Sequence, residues 1–341
     1  MYKIGFDVNG NDNGVKAAVK ATLTFLRNNQ NYKIFLIGNK KEIDCFITEK
    51  DKNLNFQIID NSNSVLDTTN LRNSLKENSS MNQMLDMLAN NEIDACLSSG
   101  DSGTYLASSS FRVKRLEGVS RAAFMPLMPT ILGRKFLLLD VGANLETKSN
   151  YLYEWAKIAN VYAKVLLNND YPRISLVNIG TEDYKGPVVT REAAELIKAD
   201  QSLNYQGFIE PRALMNGLCD VAVIDGYGGN LVLKSLEGAM LSFKNLLKSK
   251  IMLKSIRKLG YLLAKGAFVD VAETLDYRNV GAAWVAGVNG IVIKSHGGSD
   301  DKAYLGALGQ IKLALENKIL DKVKEELLNK NKIEEENNES N

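Results

Sequence analysis

Residues able to handle an anion gather in six short stretches of this chain: 5–12, 98–103, 140–144, 180–186, 225–230 and 295–300. Each combines glycine with Asp, Asn or Ser. Glycine lets backbone come close to a ligand, and a helix starting just after such a loop turns free N–H groups toward an anion. Any parallel strand-to-helix turn favours glycine, so one such loop would carry little weight. Six of them, all with polar side chains, point to a site for an anionic substrate. Its candidate ligands are Asp7 and Gly10 in the first stretch, Gly100, Ser102 and Gly103 in the second, Asn144 in the third and Gly180 in the fourth. Asp225 and Gly226 follow in the fifth, and His296, Gly297 and Ser299 in the last.

Other chemistries are closed off. Gly100-Asp101-Ser102-Gly103 looks like a trypsin-type nucleophile loop, but that chemistry needs a histidine base on a β-barrel fold. The only histidine is His296, and the chain reads as α/β. A GxSxG elbow and a GxxxxGK[ST] phosphate loop are both absent. Residues 226–231 begin like a dinucleotide fingerprint, yet Leu231 stands where its third glycine belongs. One histidine excludes HExxH and multi-histidine metal sites, leaving a carboxylate-only magnesium site as the open arrangement. Cys45, Cys96 and Cys219 form no CxxC pair and no even framework, which fits a reducing compartment. No metal and no cofactor is called for.

The elements that must hold these loops are legible as apolar runs. Strands are predicted over 3–6, 33–37, 55–59, 95–97, 122–125, 136–140, 174–178, 205–208, 221–224 and 290–293. Runs that are apolar throughout indicate burial on both faces of a sheet, and their alternation with helical periods indicates βαβ units. The expectation is a three-layer Rossmann-like α/β sandwich with a mostly parallel sheet and ligands beyond the strands' carboxyl ends. One domain over 1–322 is expected, with a lysine-rich helical excursion over 241–275 and a charged tail over 323–341 that begins as a helix end and frays. The 341 residues, 45% hydrophobic and 24% charged, suffice for such a core. Lys plus Arg of 42 against Asp plus Glu of 40 gives a net charge of +2, which argues against nucleic acid as a partner. The N-terminus enters a strand at once without a secretion signal, and no apolar run reaches the roughly 18–20 residues that span a bilayer.

Four of the loops, in order, resemble one family: Leu139-Asp140-Val141-Gly142-Ala143-Asn144, then the Asn178 to Gly186 loop with Lys185, then Asp225-Gly226-Tyr227-Gly228-Gly229-Asn230, then Asn289-Gly290-Ile291-Val292-Ile293-Lys294-Ser295-His296-Gly297-Gly298-Ser299-Asp300. Their order is similar to that of the bacterial phosphate acyltransferases of phospholipid synthesis, the PlsX type, from residue 1 to about 315. The resemblance implies a phosphotransacetylase-like or isocitrate-dehydrogenase-like fold with a protruding long helical pair. It implies transfer of a fatty acyl group from acyl carrier protein to inorganic phosphate, giving acyl-phosphate. It also implies a homodimer, cytoplasmic and peripherally membrane-associated, that hands its product to a membrane glycerol-3-phosphate acyltransferase. Two departures stand out. The family's first loop reads DAMGGD followed by histidine and proline; here Asp7 and Asp12 frame Val8-Asn9-Gly10-Asn11, without the histidine. The family's AGNTGA-like loop carries Asp101 in place of asparagine.

Phosphate is largely dianionic at neutral pH, by analogy with phosphomonoesters of second pKa about 6, and a thiol of pKa about 8.5 can leave as thiolate. The protein's task is therefore to align two substrates and stabilise an oxyanion. Lys185, the family's catalytic candidate, could hold phosphate as a point charge or neutralise that oxyanion. Asn230 could donate its amide to the thioester oxygen or simply cap a helix. His296 could bind phosphate or protonate the leaving sulfur, with ligand contact favoured, and Asp300 reads as an N-cap. In the excursion Met252, Ile256, Leu259 and Leu263 form one helical stripe, with Lys254, Arg257 and Lys258 on the other side. That pattern suits an anionic membrane surface or a helix bundle between subunits. Competing functions are a short-chain, coenzyme A-dependent phosphate acyltransferase, a metal-dependent decarboxylating dehydrogenase, and a catalytically inactive membrane-binding homologue.

Overall fold

The computed structural model describes residues 1–65, 70–275 and 282–328. Its strands are β1 (Tyr2–Asp7), β2 (Tyr32–Gly38), β3 (Phe56–Asp60), β4 (Ala95–Ser98), β5 (Ala123–Pro129), β6 (Lys135–Leu139), β7 (Arg173–Val177), β8 (Asn204–Ile209), β9 (Val221–Val223), β10 (Ala282–Ala286) and β11 (Ile291–Ser295). They form one sheet in the order β3-β2-β1-β4-β11-β10-β5-β6-β9-β7-β8. Burial explains the composition of the runs. Every residue of the central strands β4, β9 and β11 is buried, while edge strand β3 is only half-buried. All ten predicted runs are strands, and β10 is the addition.

Seven of the ten pairings among the described strands are parallel. The three antiparallel ones, β11–β10, β10–β5 and β5–β6, stand together in the middle. Direction therefore reverses across the sheet. The carboxyl ends of β1, β4 and β11 point one way, and those of β6, β7 and β9 the other. This corrects the expectation that six loops meet at one point: they form two groups of three.

Helices cover both faces, as expected. The principal ones are α1 (Lys16–Asn28), α2 (Lys40–Asp44), α3 (Leu71–Ser74), α4 (Ser80–Ala89), α5 (Ser102–Arg112), α6 (Ser149–Leu166), α7 (Val188–Ala199), α8 (Gly226–Met252), α9 (Ser255–Leu263), α10 (Lys265–Leu275), α11 (Asp301–Glu316) and α12 (residues 319–328). The buried stripes of α1, α6, α7 and α11 join one face's core, and α4 and α5 with the first turns of α8 join the other.

One expectation about the helical parts is corrected. The excursion begins at Gly226, because α8 is a single 27-residue helix whose only buried residues are Gly226 and Gly229. It then breaks at Leu253 and Lys254, so the proposed stripe is divided: Met252 ends α8, and Ile256, Leu259 and Leu263 lie on α9. The break follows from Lys254, which is extended and precedes a new helix start at Ser255. Beyond α11 the described chain ends in one more helix. α12 runs through 328, with Ile319, Val323 and Leu327 buried at helical spacing. Three such side chains bring about 1.5–3 kcal/mol each, enough to hold a charged helix end; residues 329–341 lie outside the described part.

Candidate active site

The first loop group is stapled by side chains and glycine contacts. Asp12 donates its N–H to the Gly297 carbonyl at 2.9 Å. The Asn11 amide donates to the Ser299 carbonyl and to the Tyr304 hydroxyl, which in turn donates to Ser99. A Cβ on Gly10 would lie 2.9 Å from Gly100 Cα, so these backbones touch because neither residue has a side chain. Ser299 is buried with its hydroxyl 2.7 Å from that of Ser295, which removes it from the mouth of the site. His296 is exposed and accepts the Gly298 N–H at 3.0 Å. Ser102 and Gly103 are exposed in the first turn of α5. That turn is capped by Asp101, which accepts the Thr104 N–H at 2.8 Å, so the carboxylate of this departure has a structural partner.

Under these loops lies a buried polar row. Asp7 is 2% exposed and accepts hydrogen bonds from Ser80 and Ser98, both at 2.7 Å. Burial pushes its carboxyl up to about 6 against the pull of those bonds. Lys294, also buried, is pushed down to about 8 by desolvation, opposed by the charges of Asp101, Asp7 and Asp12. Lys294 and Ser98 lay inside stretches the sequence singled out but were given no role there. The available signal was a lone charged residue closing the apolar run Ile291-Val292-Ile293.

The second group is organised around Asp140. Fully buried, it accepts from the backbone N–H groups of Phe124, Ala143 and Asn144 and from the Asn144 amide, and burial raises its carboxyl above the usual range. Asn144 also donates to the Ala122 carbonyl at 2.8 Å, so its amide nitrogen staples the loop. Asp225 caps α8 by accepting the Gly228 N–H at 2.8 Å through one carboxylate oxygen. Gly226 seats α8 as well: a Cβ there would overlap the Asn144 carbonyl, and one on Gly229 would overlap the Asp140 carbonyl. Asn230 is not a cap. It sits one turn into α8, exposed, with its amide carbon 3.2 Å from the place a Cβ on Gly142 would occupy.

Lys185 follows β7, the sheet neighbour of β9, which leads into Asn230. Its stem crosses Gly180, where a Cβ would meet Lys185 Cδ at 2.5 Å, so this glycine makes room for the lysine. Its ammonium pairs with Glu182 at 2.7 Å, and the Asn178 amide holds the loop by donating to the Lys185 carbonyl. The lysine's side chain is 38% exposed, and an exposed i,i+3 pair is weak enough to exchange for a substrate anion.

Asn230 and Lys234 lie one turn apart on one helix face, and the Lys234 charge is felt at Lys294. Among the described residues, no group of three or more His, Cys, Asp or Glu side chains could hold a metal. No described helix is long and apolar enough to cross a membrane.

A mixed sheet with central reversals, glycine-seated loops, a loop lysine in an exchangeable ion pair and an exposed asparagine on α8 make an α/β fold with loops suited to an anion. The phosphotransacetylase of Streptococcus pyogenes shares the fold (TM-score 0.60, 16% identity, 92% of this chain and 94% of that one). So does a 4-hydroxythreonine-4-phosphate dehydrogenase from Klebsiella pneumoniae (TM-score 0.50, 10% identity, 96% and 98%). The family described as fatty acid synthesis protein matches residues 2–322. A phosphate acyltransferase of Mycoplasmopsis agalactiae is 64% identical over 97% of this chain and 99% of its own length. The chain belongs to this family of phosphate acyltransferases and is an acyltransferase enzyme.

Proposed function

We propose that the protein transfers a fatty acyl group from an acyl carrier protein thioester to inorganic phosphate, giving acyl-phosphate for phospholipid synthesis. The end-to-end likeness to a phosphate acyltransferase carries this reading. In the reaction a phosphate oxygen attacks the thioester carbonyl, the C–O bond forms, the C–S bond breaks, and the carrier leaves as thiolate. Lys185 turns from Glu182 to neutralise the tetrahedral oxyanion, and the Asn230 amide donates a second hydrogen bond to the same oxygen. Neither step needs a covalent enzyme intermediate or a histidine base. His296, exposed on the loop of the first group, contacts phosphate through its free ring nitrogen.

The helices from α8 to α10 are proposed to serve two surfaces, a second copy of the chain and an anionic membrane. They carry exposed Met252, Ile256, Leu259 and Leu263 beside Lys254, Arg257 and Lys258. A membrane position suits a lipophilic product that an integral glycerol-3-phosphate acyltransferase consumes. The fold neighbours favour one alternative, a short-chain transfer from coenzyme A.

The test is phosphate-dependent loss of palmitoyl-carrier thioester, with acetyl- and palmitoyl-coenzyme A as competing donors. Lys185→Ala and Asn230→Ala should each lower kcat by about 10²–10³, the loss typical of one oxyanion donor, with unfolding transitions unchanged. Preference for the short coenzyme A donor would replace the fatty reading. Absence of turnover with every donor would leave an inactive membrane-binding homologue.

A further inference from the structure

On three adjacent strands the register places Asp7 beside Ser98 and Ser98 beside Lys294. Two residues earlier, Cys96 and Val292 belong to the core under α4, α5 and α8. Strand alternation therefore turns the whole row toward that face. Ser98 donates to Asp7, but Lys294 is left differently. Its ammonium donates to the Ser295 carbonyl. Among the described residues no carboxylate comes within 4.0 Å of it, the limit of an ion pair. Asp7, Asp12 and Asp101 act on it from farther away, as does Lys234 from α8, while Cys96 and Tyr105 feel Asp7. A buried ammonium with donors to spare and no touching counter-ion is unfavourable until an anion arrives.

We propose that Lys294 is the residue that grips the phosphate acceptor, at the floor of a site walled by the loops of Gly10, Gly100 and Gly297. This rests on the phosphate-acceptor reading and divides the work: Lys294 holds the nucleophile, and Lys185 with Asn230 faces the thioester oxygen. α8 carries Asn230 and, one turn on, Lys234, whose charge acts on Lys294. The same chemistry would suit the phosphodiester of a carrier's prosthetic arm, so the donor must be tested separately.

The experiment measures KM for inorganic phosphate and for the acyl donor, and phosphate binding alone by calorimetry, in the wild type, Lys294→Met, Lys294→Arg and Asp101→Asn. Lys294→Met should raise the phosphate KM about 10- to 100-fold, the range for losing a hydrogen bond to a charged group, with the donor KM unchanged. Lys294 is charged below about 8, so wild-type phosphate affinity should fall as pH rises through that value. Lys294→Arg, always charged, should bind phosphate without that alkaline fall. Asp101→Asn keeps the cap but removes a charge that favours protonated Lys294, so the fall should move to lower pH. If Lys294→Met folds and leaves the phosphate KM unchanged, the assignment is wrong; a rise in the donor KM alone would give Lys294 to the carrier arm. Should Lys294→Met not fold, identical alkaline limbs in the wild type and Lys294→Arg would overturn it. A wild type that makes acyl-phosphate but fails these tests isolates the fault to Lys294, whereas one that makes none removes the acceptor reading too.

Discussion

Asp7 is enclosed at the end of β1, accepting two serine hydroxyls and one backbone N–H. Three hydrogen bonds would normally lower a carboxyl, yet burial wins and leaves it at about 6. The sign of the consequence is set by this rise above the unfolded value of about 3.9. Stability from the protonated form is complete below about 4 and is lost as pH climbs through 6, a difference of roughly 3 kcal/mol at most. Asp7→Asn should therefore gain on the wild type in melting temperature as pH is raised from 4 to 7, measured by thermal unfolding across that range. A constant difference would mean that the carboxyl titrates as it does in the unfolded chain. Retaining a buried carboxylate that the fold would prefer protonated is expected of a working site. The sequence named Asp7 because it closes a strand before a glycine loop. It could not separate Asp7 from Asn144 or Asp225, polar residues that also follow strands but hold a loop staple and a cap. That difference lies in partners far along the chain, as with Ser80 on Asp7 and Ala122 on Asn144.

Among the elements, α8 is the piece that positions the chemistry, and its seat is made of glycine. A Cβ on Gly229 would overlap the backbone carbonyl of Asp140, and backbone at the end of a central strand has little room to shift. Gly229→Ala should destabilise the fold by about 1–3 kcal/mol, the usual overpacking range, and should lower turnover by displacing Asn230. Gly238, about two and a half turns farther along the same helix, has nothing within 4 Å of its would-be Cβ. Gly238→Ala should be neutral or stabilising by up to about 1 kcal/mol. Denaturant midpoints of the two variants check the pair; equal shifts would show that helix propensity, not the seat, governs both. Strand positions were legible because buried strands must be apolar throughout. The start of α8 was not: Gly226-Tyr227-Gly228-Gly229 has the composition of a loop, and only contact with the β6 loop makes those glycines the first turn of a helix. At the charged end of the chain, three apolar residues at helical spacing dock α12 despite its lysines and glutamates.

At the scale of the molecule, the sheet and its two helical layers bury their apolar faces, but α9 and α10 bury no residue at all. Ile256 and Leu263 are 71% and 86% exposed, far from what a stable core position allows. A helix with such a face gains by meeting another apolar surface, and the character of that surface is set by charge. Between 238 and 275 there are seven Lys or Arg and only Asp270 and Glu273 opposing them. A basic flank is attracted to an anionic bilayer by about 1 kcal/mol per residue near the surface, and salt weakens that attraction. The protein should therefore sediment with vesicles containing anionic lipid, less with neutral ones, and less in either case at high salt. Ile256→Glu with Leu263→Glu should abolish sedimentation while leaving turnover of a soluble acyl thioester intact, because neither residue touches the loop groups. Analytical ultracentrifugation of the same variant separates the two surfaces. Vesicle binding that persists while the variant's mass falls to that of one chain would assign this face to a second copy, and the membrane contact would then have to lie elsewhere on the excursion.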